Sequence, residues 1–340
     1  MKSRRILIDH GSGGLATKEL IAELFQPLFS NPALDRMEDS ALLEPQNGKI
    51  AFTTDSYVVD PLFFPGGDIG TLAIHGTIND LAMQGANPAA LSLGLILEEG
   101  LQMDDLQKIA SSLEKASKQA GVPIVAADTK VVPQGKADKI FINTSGIGFV
   151  EDGVELGSHL AVHGDAVIVS GTLGDHGIAI MGTRAGLGLD TTIMSDTAPL
   201  HKLVHILLGK FGNAIRCFRD PTRGGLATVL SEIAVASRVE IQIDEASIPI
   251  KPQVYSICEL LGLDPLYLAN EGKLIAIVKG SAAEEIVLTM RREKLGENAS
   301  IIGRVHRTET ARKGRVVLLT KIGGKRLLEP LSGEPLPRIC

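Results

Sequence analysis

The chain has 340 residues, a formal net charge of -6, 44% hydrophobic and 22% charged residues, and no tryptophan. That length suggests two domains with aliphatic cores, and an acidic balance without a long Lys/Arg run excludes a nucleic-acid footprint. No apolar stretch reaches the about 18 residues of a membrane span, the Ile6-Leu-Ile8 run is too short for a signal peptide, and three cysteines fit a reduced, cytoplasmic protein better than a disulfide framework.

Taken in chain order, Lys49 to Val59 reads as a strand with a polar end. A helix is predicted from Gly67 to Gly85, a strand from Ala90 to Leu97, an amphipathic helix from Met103 to Ala120, and strands at Pro123 to Val132 and Lys139 to Val150. The second half starts near Gly164. It opens with an apolar strand, Ala166 to Ser170, then Gly171-Thr-Leu-Gly-Asp-His-Gly177 and a helix. Helices follow at Pro199 to Phe211, Leu226 to Ser237, Pro252 to Leu261 and Ala282 to Arg292, with strands at Glu240 to Ile243, Leu274 to Val278 and Ile301 to Val305. Both halves place a Gly-Asp-x-Gly turn before a helix (67–70 and 174–177), a short pattern compatible with a duplicated α+β unit. After Leu328 the chain turns proline-rich and reads as extended polyproline-like chain, with Cys340 last.

Five features carry chemistry-bearing residues. His10-Gly11-Ser12-Gly13-Gly14, before a helix, can cradle phosphate through backbone N–H groups, and equally fits an ordinary turn. Asp39, Asp55, Asp80, Asp128 and Asp220 each stand at an element boundary, where Asp is a common cap and where several together can hold Mg²⁺ against a triphosphate. Asp80 is the exception to the capping reading: it lies among Ile78, Leu81 and Ala82, and a carboxylate there needs a partner such as a metal. Lys130, after Asp128-Thr129, fits phosphate neutralisation or proton transfer, or a plain strand-end lysine. Glu271, in Ala269-Asn-Glu-Gly-Lys273, fits a base or a turn residue. Cys217 and Cys258 lie inside elements as buried thiols do, whereas Cys340 sits on a proline-rich arm as a swinging thiol would, and needs a docking site to activate it.

Together these segments resemble the HypE family of hydrogenase maturation factors. The likeness rests on His10-Gly-Ser-Gly-Gly14, Thr53-Thr-Asp-Ser-Tyr-Val-Val59, Gly76-Thr-Ile-Asn-Asp-Leu-Ala-Met-Gln-Gly-Ala86, Ala127-Asp-Thr-Lys-Val-Val132, Asp220-Pro-Thr-Arg-Gly-Gly225 and Pro337-Arg-Ile-Cys340, in order across the whole chain. It implies an α+β, two-domain PurM-like (aminoimidazole ribonucleotide synthetase-like) fold. Residues 1–155 would bind ATP and supply strands to a dimeric β-barrel, 156–325 would form the C-terminal α+β domain, and 326–340 a mobile proline-rich tail. It further implies that Asp55, Asp80, Asp128 and Asp220, with Asp39 in addition, hold Mg²⁺ and phosphates. The glycine loop, Thr54, Asn79, Thr129 and Lys130 would contact the nucleotide, and Lys130 and Glu271 would sit where the Cys340 arm docks.

The activity that the resemblance implies is ATP-dependent dehydration of a carbamoyl group on Cys340 to a thiocyanate, the source of the cyanide ligand of [NiFe]-hydrogenase. The carbamoyl group would come from HypF and the cyano group would pass to a HypC–HypD complex. An amide oxygen is a poor leaving group, and phosphorylation makes phosphate the leaving group. Glu271, with Lys130, would take the nitrogen's protons. Two rival readings remain at this stage. One is a small-molecule kinase or synthetase of the same superfamily, although the selenophosphate synthetases carry a reactive Cys or Sec in their glycine-rich region and His10 to Leu20 has none. The other is a non-catalytic, nucleotide-switched carrier.

Overall fold

The computed structural model describes residues 5–37, 40–44, 46–184, 192–307, 314–330 and 338–340. Asp39 and most of the proline-rich segment therefore lie outside the described residues.

An N-terminal run of short helical pieces includes α1 (Leu15–Leu20) and α2 (Gln26–Phe29). Next come β1 (Lys49–Tyr57), a two-residue pair β2 (Phe63–Phe64) and β3 (Gly67–Asp68), α3 (Ile69–Met83), β4 (Ala86–Glu98), α4 (Met103–Ala120), β5 (Ile124–Val132) and β6 (Ile140–Val150). β1, β6, β4 and β5 form one sheet in that order, with β4 and β5 parallel and the other pairs antiparallel. Leu91, Leu93, Leu95 and Leu97 of β4 alternate onto its buried face.

The second unit holds β7 (Ala166–Val169), α5 (Asp175–Arg184), α6 (His201–Phe211), β8 (Ile215–Arg219), α7 (Gly225–Ser237), β9 (Val239–Asp244), α8 (Pro252–Leu261), β10 (Ile275–Val278), α9 (Ala283–Met290), β11 (Ser300–Arg307), β12 (Arg315–Leu319) and β13 (Lys325–Leu328). Its seven strands run β13-β12-β9-β11-β7-β10-β8. β7 (Ala-Val-Ile-Val) and β10 (Ile-Ala-Ile-Val) are buried at every position because apolar clusters cover both sides of this sheet. Strand β13 carries the second unit to Leu328, so the expected tail boundary at 326 falls inside a strand whose backbone pairs with β12.

Helix α3 joins the two units. It is apolar on nearly all sides because β1 and β6, α4, and α6 with β8 surround it. Its start is fixed by Asp68, whose Oδ1 accepts from Thr71 N–H at 2.8 Å. Its close approach to the sheet needs Gly146, where a Cβ would stand 2.9 Å from Leu81 and Thr77 side-chain carbons. Among the described residues, no helix is long and apolar enough to cross a membrane.

Candidate active site

The carboxylates gather where the two units meet. Asp55 lies on edge strand β1 and Asp80 on the facing side of α3, where Thr53 Oγ1 donates to Asp80 Oδ2 at 2.8 Å. Asp220 follows β8 in the turn Arg219-Asp-Pro-Thr-Arg223, which Gly224 and Gly225 close with φ of +70° and +60°. Glu271 comes from the loop before β10. That loop is held by Asn270, which accepts from Gly174 N–H at 2.7 Å and donates to Pro221 and Leu268 carbonyls, and by Asp196, which accepts from Glu271 N–H at 3.0 Å. Gly272 has no room for a side chain, since a Cβ would sit 1.8 Å from Asp196 O.

These acids perturb one another. Burial, then Asp80, pushes Asp220 up to about 7. Burial raises Asp80 as well, against the Thr53 hydrogen bond. Glu271 lies well above the carboxylate range through burial, then Asp220, Asp196, Asp55 and Asp80, and among the described residues its Oε1 has no hydrogen-bond partner. Burial alone would also raise Asp196, but Lys273 at 3.1 Å and His176 beside it hold it low.

Cys340 is brought into this cluster. Its carbonyl accepts from Val58 N–H at 3.1 Å and that of Arg338 from Asp60 N–H at 3.3 Å, so the end of the chain pairs with the segment after β1 like a short added strand. Ile339 is buried in the N-terminal core. Arg223 Nε donates toward Cys340 Sγ at 3.5 Å, and its Nη2 stands 3.8 Å from Asp55 Oδ1. Burial and then Glu271 push the Cys340 thiol up to about 11, against the pull of Arg223.

The expected residues thus divide into two groups. Asp55, Asp80, Asp220, Glu271 and Cys340 come together. Asp128 and Lys130 pair with each other at 2.7 Å on β5, at the opposite edge of the first sheet from β1. Asp128 pairs with Gly94, Gly94 with Asn143, and Asn143 with Ser56. Three strand spacings of about 4.8 Å therefore put Asp128 about 14 Å from β1, on the exposed face where Thr54 accepts from Asn143 and Ser145. Lys130 does not reach the thiol within one chain, and Arg223 stands there instead.

Asn79 also departs from its expected role. It is fully buried, donates to Ala198 and Glu271 carbonyls at 3.0 and 3.2 Å, and accepts from Leu200 N–H at 2.8 Å. An amide with its bonds already made is a staple between the units, not a nucleotide ligand. His10 is similar: its Nδ1 accepts from Leu7 N–H at 2.9 Å and fixes the glycine loop. That loop packs against β5 at Gly11, where a Cβ would lie 2.3 Å from Val131 N. Gly11, Gly13, Asp128, Thr129 and Lys130 edge a cleft whose floor is apolar, with Phe25, Phe29, Leu93 and Leu95. Ser12 and Gly14 close the loop through the Ser12 hydroxyl. Residue order alone does not mark Arg223, Asp196 or His176: Arg223 lies within Asp220-Pro-Thr-Arg-Gly-Gly225, and only the fold brings its side chain to Cys340.

Among the described residues, no three His, Cys, Asp or Glu side chains form a ready metal cage. Magnesium carrying phosphates and waters needs only one or two carboxylates, and Asp55, Asp80 and Asp220 offer a negative field that Arg219 and Arg223 only partly offset. The donor set fits such an ion.

The profile of the family "AIR synthase related protein, N-terminal domain" matches residues 37–150, and that of its C-terminal domain residues 162–313. The chain is 51% identical to carbamoyl dehydratase HypE of Rhizobium leguminosarum bv. viciae, over 99% of this chain and 95% of that protein. It superposes on a crystal structure of hydrogenase maturation protein HypE in complex with ATP with a TM-score of 0.94 and 49% identity, covering 98% of this chain and 99% of the other. On a chain of a HypE–HypF complex the TM-score is 0.80 at 47% identity, covering 92% and 99%.

The electrostatics predict how the thiol titrates. In alkylation of Cys340 by iodoacetamide, the rate keeps rising above about pH 9, beyond the ordinary thiol range. Glu271→Gln, which cannot become anionic, moves the profile to lower pH, and Arg223→Gln moves it higher. A wild-type profile centred at the ordinary thiol value and unmoved by either change contradicts this site.

Proposed function

The chain belongs to the HypE family of carbamoyl dehydratases, and we propose that it converts an S-carbamoyl group on Cys340 to a thiocyanate at the expense of ATP, in hydrogenase maturation. The observation that carries this reading is Cys340 itself, seated among Glu271, Asp55 and Arg223 rather than in solvent. A kinase acting on a small molecule has no need of a protein thiol at the centre of its acidic site, and a passive carrier has no need of a buried carboxyl group beside its thiol.

Bound magnesium–ATP, held by Asp55, Asp80 and Asp220, would supply an electrophilic phosphoryl group for the amide oxygen. The chain's own residues do the rest. The tail dock fixes the sulfur, which keeps its bond to carbon throughout. Arg223 holds the developing negative charge on the carbamoyl oxygen. The nitrogen loses two protons, one as its carbonyl oxygen takes the phosphoryl group and one as the carbon–oxygen bond breaks, phosphate leaves and the carbon–nitrogen triple bond forms; Glu271 is the base that accepts them in turn, handing the first on before it takes the second. Its raised affinity for protons makes it a competent base once cations neutralise the neighbouring aspartates. The carbamoyl donor is a HypF-type transferase, supported by the HypE–HypF complex of the related chain. A HypC–HypD complex as cyanide acceptor, and a cytoplasmic location, rest on the family resemblance.

A second copy completes the site. The open face of the first sheet exposes Ile50 and Phe52 on β1, at 70% and 67%, and Ile96 on β4. Such a patch marks an interface. Sheet packed on sheet across it, as in a dimeric barrel, brings the partner's copy of the glycine-loop cleft, with its Asp128–Lys130 pair, toward the edge strand that carries Asp55. Adenosine in that cleft would then extend its phosphates to the acids of the neighbouring chain.

Two experiments test this reading. Incubated with the transferase, carbamoyl phosphate and magnesium–ATP, the chain gains one carbamoyl group and then loses one water, as followed by intact mass. Cys340→Ala shows neither step, Glu271→Gln stalls at the carbamoyl form, and Arg223→Ala slows water loss by about 10²-fold. ATP consumption without any mass change at Cys340 returns the small-molecule reading. For the shared site, Asp128→Asn and Cys340→Ala chains are each inactive alone. After mixing and subunit exchange they regain about a quarter of the activity, since half the dimers are mixed and one of their two sites is intact. No recovery on mixing means that Asp128 serves its own chain.

A further inference from the structure

Helix α5 opens with the Gly174-Asp-His-Gly177 turn, which the dehydration chemistry leaves unused. His176 in its first turn is completely buried. Its Nε2 stands 2.8 Å from the carbonyl oxygen of Ile339, and its Nδ1 2.8 Å from Ser195 Oγ. A carbonyl oxygen can only accept, so Nε2 carries the proton and Nδ1 accepts from the Ser195 hydroxyl. Ser195 is itself fixed, because its backbone N–H donates to Pro65 O at 2.7 Å and its hydroxyl accepts from Thr197 N–H at 3.2 Å. The ring of Phe64 meets the imidazole edge-on, with 5.5 Å between centroids.

The far end of the same helix holds the same segment. Arg184 donates to the carbonyls of Arg338 and Asp60, the two residues that pair where the tail joins the segment after β1. Eight residues of helix, about 12 Å, thus span the last peptide units of the chain. Among the described residues, His176 and Arg184 meet the tail at backbone carbonyls one and two residues before Cys340.

We infer that His176 is a positioning residue that latches the Cys340 arm in its docked state by donating to the Ile339 carbonyl. It sets where the sulfur sits without touching it. When the arm leaves to receive or deliver its group, the imidazole N–H loses its acceptor at a buried position, so departure carries a penalty and return is favoured. The latch therefore acts on the docking equilibrium, and through it on dehydration, while reactions of the undocked arm are spared. Its consequence for catalysis rests on the dehydratase reading, but the latch itself does not.

The test compares His176→Leu with His176→Gln in the full chain. The two replacements are similar in size, and only Gln keeps a side-chain N–H. The readout is iodoacetamide labelling of Cys340 without ATP or partner proteins, with the buried Cys217 and Cys258 as internal reporters of folding. Leu speeds Cys340 labelling by about tenfold, the value of one buried hydrogen bond, and Gln by less than about twofold, while Cys217 and Cys258 stay protected. Equal labelling of Cys340 in both variants at the wild-type rate overturns the latch, as does equal acceleration in both. Should Leu open all three cysteines together, Ser195→Ala decides. Loss of the hydroxyl that sets the ring's orientation is expected to speed Cys340 labelling severalfold, and an unchanged rate overturns the proposal. A second readout separates the latch from the chemistry: with His176→Leu, carbamoyl transfer to Cys340 keeps its rate while loss of water slows. Normal labelling effects with no water loss in the wild type would instead sink the dehydratase reading and leave the latch standing.

Discussion

Four carboxyl groups crowd around one thiol, and the guanidiniums of Arg219 and Arg223 only partly offset their charge. Asp55, Asp80, Asp220 and Glu271 come from four separate segments, and burial first, then the charge of their neighbours, raises the proton affinity of three of them. An arrangement of that kind costs stability in the empty protein, and cations that bind there recover it. Arg223 brings positive charge to the thiol itself, shared between Cys340 and Asp55. With its proton held up to about 11, Cys340 waits as a thiol until a group is placed on it.

The fold serves this convergence. Helix α3 is apolar enough to be enclosed by both units, so the one carboxylate it places at their junction, Asp80, faces β1 and the β8–α7 turn at once. Asn79, its neighbour, spends its whole amide on the backbone of Ala198, Leu200 and Glu271 and so locks the Glu271 loop to the same helix. The tail docks by backbone pairing with the segment after β1, where Ile339 fills an apolar pocket and Arg338 pairs with Asp138. A short apolar anchor and a few backbone bonds, rather than a large interface, are what a returning arm requires.

Much of this was readable from residue order. Helical period and turn residues placed Met103–Ala120 and Pro252–Leu261 at their observed ends, and the lone carboxylate among Ile78, Leu81 and Ala82 singled out Asp80, which the fold sets beside Thr53 and Asp220. Two kinds of fact were not readable. One is strand order: Asp55 and Asp128 look alike as boundary aspartates, yet β1 and β5 are opposite edges of one sheet, which only long-range pairing decides. The other is where a polar side chain spends its bonds. Asn79 and Asp80 are adjacent on α3, but one faces the Ala198–Leu200 backbone and the other the cleft. Likewise His176 and Arg223 stood in quoted motifs as turn neighbours until the docked tail gave them partners. The strands β12 and β13 escaped notice because their short runs are flanked by Lys, Arg and Gly and carry no long apolar period.

The crowding of these acids is tested most directly by counting protons. Binding of magnesium with a non-hydrolysable ATP analogue, measured by calorimetry near pH 7 in two buffers of different ionisation enthalpy, is predicted to release protons, because a bound cation favours the ionised form of Asp220, which titrates at about 7, and of Glu271. Asp220→Asn should reduce that release. Binding with no protons released, in wild type and variant alike, would mean that these carboxylates are already ionised and that the raised proton affinity at the heart of this site does not exist.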